Sequence, residues 1–290
     1  MNQKNEKNAG SFGFIRLDRR GCKKLVVYVL LLLIVFIIGF PLIYTFAIST
    51  QSLEEVIRRP TVKISNQLFN NYREAWVRIN MGRLLMNSTI VAFASTVGKI
   101  VMAILSAFAI VFFDFRFKAV AFWTIFITLM LPVPVRIIST YQVISDLGWL
   151  NSYVGLIVPL MASATGTFFF RQFYQTIPGE MVEAAQIDGA GPLKFLWSIL
   201  LPNSWPNIAA LFVVLFIFGW NQYLWPLMIT HTKEMHVVVV GIRSLIPGGG
   251  ELLPEWNIVM AAAMFALVLP VLVIITMQKW FVELVIETEK

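Results

Sequence analysis

Side chains able to carry covalent chemistry are scarce in this sequence. The two histidines, His231 and His236, share one polar loop with no third residue at ligand spacing, and they read as surface residues. The single cysteine, Cys22, excludes an intrachain disulfide and suggests no metal cluster. The only Gly-Lys pair, Gly98-Lys99, is not a phosphate loop. Phe93 stands where the first glycine should be, and Ile100 follows the lysine in place of serine or threonine. The chain is therefore expected not to be an enzyme and to hold no metal or cofactor of its own.

A spaced pattern stands out instead, in the polar stretch 171–205. Glu183-Ala184-Ala185, Gly189, Ile199, Leu201 and Pro202 read E-A-A-x3-G-x9-I-x-L-P. These residue types suit docking rather than catalysis. Pro178 fits the first turn of a short helix, where its missing N–H costs nothing. Glu180 and Glu183 follow where the helix dipole favours anions. Ala184 and Ala185 are strong helix formers, small enough for another surface to approach closely. Asp188 precedes Gly189, which permits the left-handed turn that stops a helix. Pro192 then starts a second, apolar helix over 193–201. A helix lying flat on a membrane would carry a basic face and bulky apolar residues. Residues 179–190 contain no Lys, Arg, Trp or Phe, so the first helix is expected to stand off the membrane.

The elements that must position this loop are long apolar blocks. Of 290 residues, 58% are hydrophobic and only 13% charged, with a mean hydropathy of +0.75. That composition needs a hydrocarbon solvent. Six blocks are long enough to span a bilayer: 25–48, 84–113, 119–138, 154–170, 207–228 and 258–281. The first is too long for the core of a cleaved leader and reads as a retained span. The third closes on the kink at Pro132 and Pro134, and Pro270 interrupts the sixth. The net charge of +7 does not indicate nucleic acid, because the basic residues cluster beside the spans. Six spans place both termini on one side. That side carries 13 Lys and Arg against 8 on the other, with seven of them packed into residues 1–24. The majority side is cytoplasmic by the positive-inside rule. Six basic residues between 49 and 83 oppose this vote, but the dense N-terminal cluster should dominate.

Ionisable groups inside spans are candidates for function. None of the six blocks contains Asp or Glu, which argues against a proton- or sodium-coupled carrier. Lys99 lies near the middle of the second block and Arg136 at the outer end of the third. Lys99 could pair with backbone carbonyls or with a partner's carboxylate. Alternatively, it lends positive potential to a path for an anionic solute. Arg136 is either a snorkelling interface residue or part of the same path. Trp220, Asn221, Gln222, Tyr223 and Trp225, near the outer end of the fifth block, are either an aromatic belt or a lining of amides and aromatics suited to polyols.

The loop pattern resembles, without a mismatch, the cytoplasmic signature of permease subunits in bacterial ABC importers. The resemblance extends through Gly98-Lys99-Ile100 and segments 105–111, 126–132, 160–165 and 219–226, covering 25–290. It is to the MetI-like carbohydrate importers related to the maltose permease, and in particular to sn-glycerol-3-phosphate permeases. It implies an all-α membrane protein, a six-transmembrane-helix type I importer permease with a cytoplasmic coupling helix. The expected divisions are a cytoplasmic tail (1–24), a first span (25–48), an extracytoplasmic loop (49–83), a transmembrane type-1 domain (84–282) containing the coupling loop 171–205, and a C-terminal tail (283–290). The implied partners are a homologous second permease, an ATPase homodimer that binds ATP and magnesium, an extracytoplasmic solute-binding protein, and membrane lipid. Glu180, Glu183, Ala184, Ala185, Asp188, Gly189 and Pro202 would form the ATPase-coupling surface. The implied solute is sn-glycerol-3-phosphate. A neutral sugar is the alternative and a membrane-embedded enzyme the remote one.

Overall fold

A computed structural model describes residues 19–248 and 253–288, and every regular element in it is helical. α1 (Arg19–Ser49) takes up the first apolar block and begins six residues before it, so Arg19 to Lys24 of the expected tail are helical. Residues 1–18 of the expected tail lie outside the described residues. From Leu25 to Ile43 most α1 side chains are exposed, while Ala47, Ile48 and Ser49 in the last turn are buried. Nonpolar side chains exposed along a whole helix belong in lipid or against another membrane helix.

The stretch 49–83 holds two helices, α2 (Leu53–Arg58) and α3 (Leu68–Arg78). Ser52 and Glu55 form a reciprocal capping box at the start of α2. The buried Asn71 on α3 clasps the end of α1. Its Nδ2 donates to the carbonyls of Ser49 at 2.9 Å and Gln51 at 2.8 Å. Gln51 in turn donates to the carbonyls of Thr61 and Lys63.

α4 (Met81–Phe112) is the central post. α5 (Lys118–Met130) and α6 (Val133–Asp146) divide the third block. Pro132 lacks an N–H and forces Leu131 into an extended conformation with ψ 119°, so the helix stops and restarts. α7 (Tyr153–Ile157) runs through a 3-10 turn (Val158–Leu160) and bends by 42° into α8 (Ala164–Gln175). Next come α9 (Gly179–Ile187), α10 (Pro192–Phe195), a π-helical turn (Leu196–Leu200) and α11 (Leu201–Asn203). A 73° bend leads into α12 (Trp205–Trp220). α13 (Leu224–Ile229), a short turn (Lys233–Met235) and α14 (Val238–Arg243) follow. α15 (Trp256–Thr288) closes the chain and continues as helix into residues 283–288 of the expected tail.

α8 and α12 pack along α4, while α15 packs on α12 and α1. Inside a membrane, lipid tails are as apolar as the side chains, so helices associate through close van der Waals contact. The sequence supplies small residues where it is needed. A Cβ on Gly219 would stand 3.4 Å from Ala92 Cα across the α4–α12 crossing. Among the described residues the core falls into three clusters. One, around Phe108, Phe170, Tyr174, Phe195 and Leu200, lies at the α9 end of the bundle. Asn257 on α15 donates to Asn71 Oδ1 at 3.0 Å and ties the opposite end together.

Candidate coupling surface and solute path

α9 is a helix of nine residues with a defined stop. Pro178 occupies its N-cap position and Glu180 its first turn. Gly189 has φ +68°, in the left-handed region. Its N–H donates to the Gln186 carbonyl at 3.0 Å, and the Ala190 N–H reaches back to the Ala185 carbonyl at 2.9 Å. This pair of bonds is the Schellman arrangement, and it satisfies carbonyls the helix would otherwise leave open. Glu180, Glu183, Ala184, Asp188, Gly189 and Pro202 are exposed together at this end of the bundle.

Ala185 differs. It is buried and packs into the cluster of Phe195, Leu196 and Phe108. Its smallness lets α9 approach its own bundle, whereas Ala184 is the small residue open to a partner. Ile187, which the sequence pattern does not mark, is 86% exposed in the last turn of α9. The signal available in the sequence was an apolar residue amid polar neighbours. Beyond the loop, the second helix begins at Pro192 and runs through the π turn to Asn203, longer than the expected 193–201. Pro202 sits in its last turn, beside the bend at Ser204. Ser204 donates its hydroxyl to the Leu200 carbonyl and is fully buried.

The path candidates divide. Lys99 is 5% exposed in the middle of α4. Its Nζ lies 5.2 Å from the ring centroid of Phe218 on α12, and it has no hydrogen-bond or ion-pair partner among the described residues. Arg136 is exposed in the first turn of α6. Asn221 is exposed at the end of α12, and Gln222 and Tyr223 are partly so. Trp220 and Trp225 are instead 3% and 4% exposed, and pack in two different core clusters. The structure therefore sets Lys99 against Phe218 of α12 and both tryptophans inside the bundle. It also shows Ser139 and Gln142 exposed on α6 with Arg136, while Ile137 and Ile144 face the core. Their positions three and six residues beyond Arg136 marked a polar face in the sequence.

This helical plan has close counterparts. Residues 99–286 match the family described as binding-protein-dependent transport system inner membrane component. The chain belongs to this family. Its membership makes the chain a multi-pass inner-membrane permease component of an ABC transport system, not the part that catalyses. The chain is 50% identical over 282 residues to the sn-glycerol-3-phosphate transport system permease protein UgpE of Brucella melitensis, covering 94% of this chain and all of that one. It is 49% identical to UgpE of Agrobacterium fabrum over the same extent. It is 48% identical to UgpE of Yersinia pestis, covering 94% of this chain and 99% of that one. A solved bacterial ABC transporter involved in the import of the acidic polysaccharide alginate shares the fold, with a TM-score of 0.77 at 21% identity, over 93% of this chain and 100% of that chain. Family members work as components of systems that depend on a binding protein, so other subunits belong with this one.

Proposed function

We propose that this chain forms half of the transmembrane path of an ATP-driven importer for sn-glycerol-3-phosphate. The observation that carries the solute is the half identity, over nearly the whole chain, to permeases named for it. Both termini lie in the cytoplasm, which places the α9 loop on the cytoplasmic side beside the ATPase. A homologous permease completes the path, an ATPase homodimer binds ATP and magnesium, and an extracytoplasmic binding protein delivers the solute. Residues 84–282 form the transmembrane type-1 domain and 171–205 the coupling loop.

Closure of the ATPase dimer on ATP moves α9 through its exposed face of Glu180, Glu183, Ala184, Asp188 and Gly189. Ala185 seats α9 on Phe195, so the movement passes through the second helix and the bend at Pro202 and Ser204 into α12. α12 ends at Asn221 and Gln222, the amides offered to the solute, with Tyr223 beside them. Trp220 and Trp225 hold that end of the helix rigid from inside the bundle. The supporting chemistry is that a phosphorylated polyol needs cations and amides, and Lys99, Arg136, Asn221 and Gln222 supply them. The test is made in cells. A strain lacking this chain should lose uptake of labelled glycerol-3-phosphate and regain it with a plasmid copy. Unimpaired uptake in the deletion strain with no other importer for this solute, or loss restricted to a neutral sugar, would refute the assignment.

A further inference from the structure

We propose that the break between α5 and α6 is a phosphate subsite, in which the positive end of α6, Arg136 and Lys99 together receive the phosphate of the solute as it crosses. This rests on the reading above that the solute is a glycerol phosphate. The break at Pro132 ends the apolar helix α5 and begins α6 within the third block of the sequence. Half-helix N-termini within membranes offer the positive end of the helix dipole to anions. Arg136 stands in the first turn of that second half.

An independent observation is the state of Lys99. A buried ammonium in a membrane bundle is normally paired. This one rests against the ring of Phe218 and lacks an acceptor among the described residues. One turn further out on the same helix, Thr96 is fully buried and its hydroxyl has no partner. Residues three apart share a helix face. Two adjacent polar side chains thus wait without acceptors in an apolar interior, and a phosphate oxygen is what both could bind.

The heights agree. Lys99 lies about thirteen residues from the α9-side end of α4 at Phe112. The break lies about thirteen residues along α5 from Lys118, and Phe218 about thirteen along α12 from Trp205. At about 1.5 Å per residue, each is about 20 Å from that end of the bundle. The exposed side chains of Ser139 and Gln142 continue the polar strip along α6 away from Arg136, toward the opposite face. A polar strip at membrane depth belongs against water or protein rather than lipid. A phosphate monoester carries about two negative charges near neutral pH, which two cations balance. A phosphodiester carries one.

The experiment uses the complete importer, reconstituted in liposomes with its binding protein. The maximal rate of ATP-driven uptake is measured for glycerol-3-phosphate and for a glycerophosphodiester. Each variant is compared with the unaltered importer for the same solute, so delivery by the binding protein cancels. Removing one charged hydrogen bond to a phosphate is expected to slow monoester uptake by about 10- to 100-fold. Arg136→Gln and Lys99→Met should both show this, with a smaller loss for the diester, and Arg136→Lys should recover most of the rate. Arg136 is exposed on α6, so its variants report even if Lys99→Met fails to assemble. Equal losses for both solutes, or no loss with Arg136→Gln, would overturn the subsite alone. An unaltered importer that moves neither phosphorylated solute would overturn the functional reading and the subsite with it.

Discussion

Replacing Gly189 by alanine should impair coupling while leaving the bundle intact. At φ +68° an L-residue brings its Cβ against the following carbonyl, which costs about 1–2 kcal/mol. Nothing else stands within 4 Å of a Cβ at this position, so the backbone is the whole cost. The chain would bear the strain or give up the bonds from Gly189 and Ala190, and with them the last turn of α9. A change of that size shifts an equilibrium about 5- to 30-fold. ATP-driven uptake should fall by up to that factor in proteoliposomes holding equal amounts of complex. Asparagine, which tolerates the left-handed region, should lose less. Gly191 provides the internal control. It is also exposed with nothing within 4 Å of a Cβ, but its φ is −68°. Gly191→Ala should be close to neutral. Equal losses at both positions, or a neutral Gly189→Ala, would refute the reasoning.

The two alanines of α9 should part company. Ala185→Leu overpacks the contact with Phe195, at a cost of about 1–3 kcal/mol, and should lower the amount and thermal stability of the subunit. Ala184→Leu should leave both unchanged and weaken association with the ATPase, read by co-purification. Asn71→Leu should lower the melting temperature in detergent by removing about 3 kcal/mol or more. It strands the Ser49 and Gln51 carbonyls and the Asn257 amide. A melting curve matching the parent protein would contradict this clasp. His236, in the segment between α13 and α14, has its pKa lowered from 6.5, chiefly by burial, with Glu234 opposing and Lys233 assisting. The unfolded chain then binds the proton more readily, so stability from this group is complete above about pH 7 and declines as pH drops below 6.5. His236→Gln should flatten that part of the pH dependence of thermal stability, and an unchanged slope would remove His236 from the account.

Much of this architecture was legible because the bilayer imposes a strong rule on sequence. A span needs about 20 apolar residues, and 25–48 and 84–113 met that demand without ambiguity. The stop at Gly189 was legible for a local reason, since few residues accept its backbone conformation. Helices α2 and α3 were not, because they are short, and their support comes from Asn71 and Gln51 reaching backbone carbonyls some ten to twenty residues away in sequence. The burial of Trp220 and Trp225 was hidden for a related reason. In an aromatic run at a span end, residue type does not say which face of the helix meets the core. The split between Ala184 and Ala185 is a matter of helix phase, and phase shows only once Phe195 is in place. The face of α6 carrying Ser139 and Gln142 was within reach of a three-residue spacing, but the kink at Pro132 drew the third block to an end before it.

The most direct test of the central claim is uptake by the purified complex in liposomes, with ATP either enclosed or omitted, using labelled glycerol-3-phosphate against maltose. The account predicts accumulation of glycerol-3-phosphate that requires ATP and the binding protein, with no accumulation of the sugar. Accumulation without ATP would contradict the importer itself, and ATP-driven accumulation of maltose alone would contradict the assigned solute.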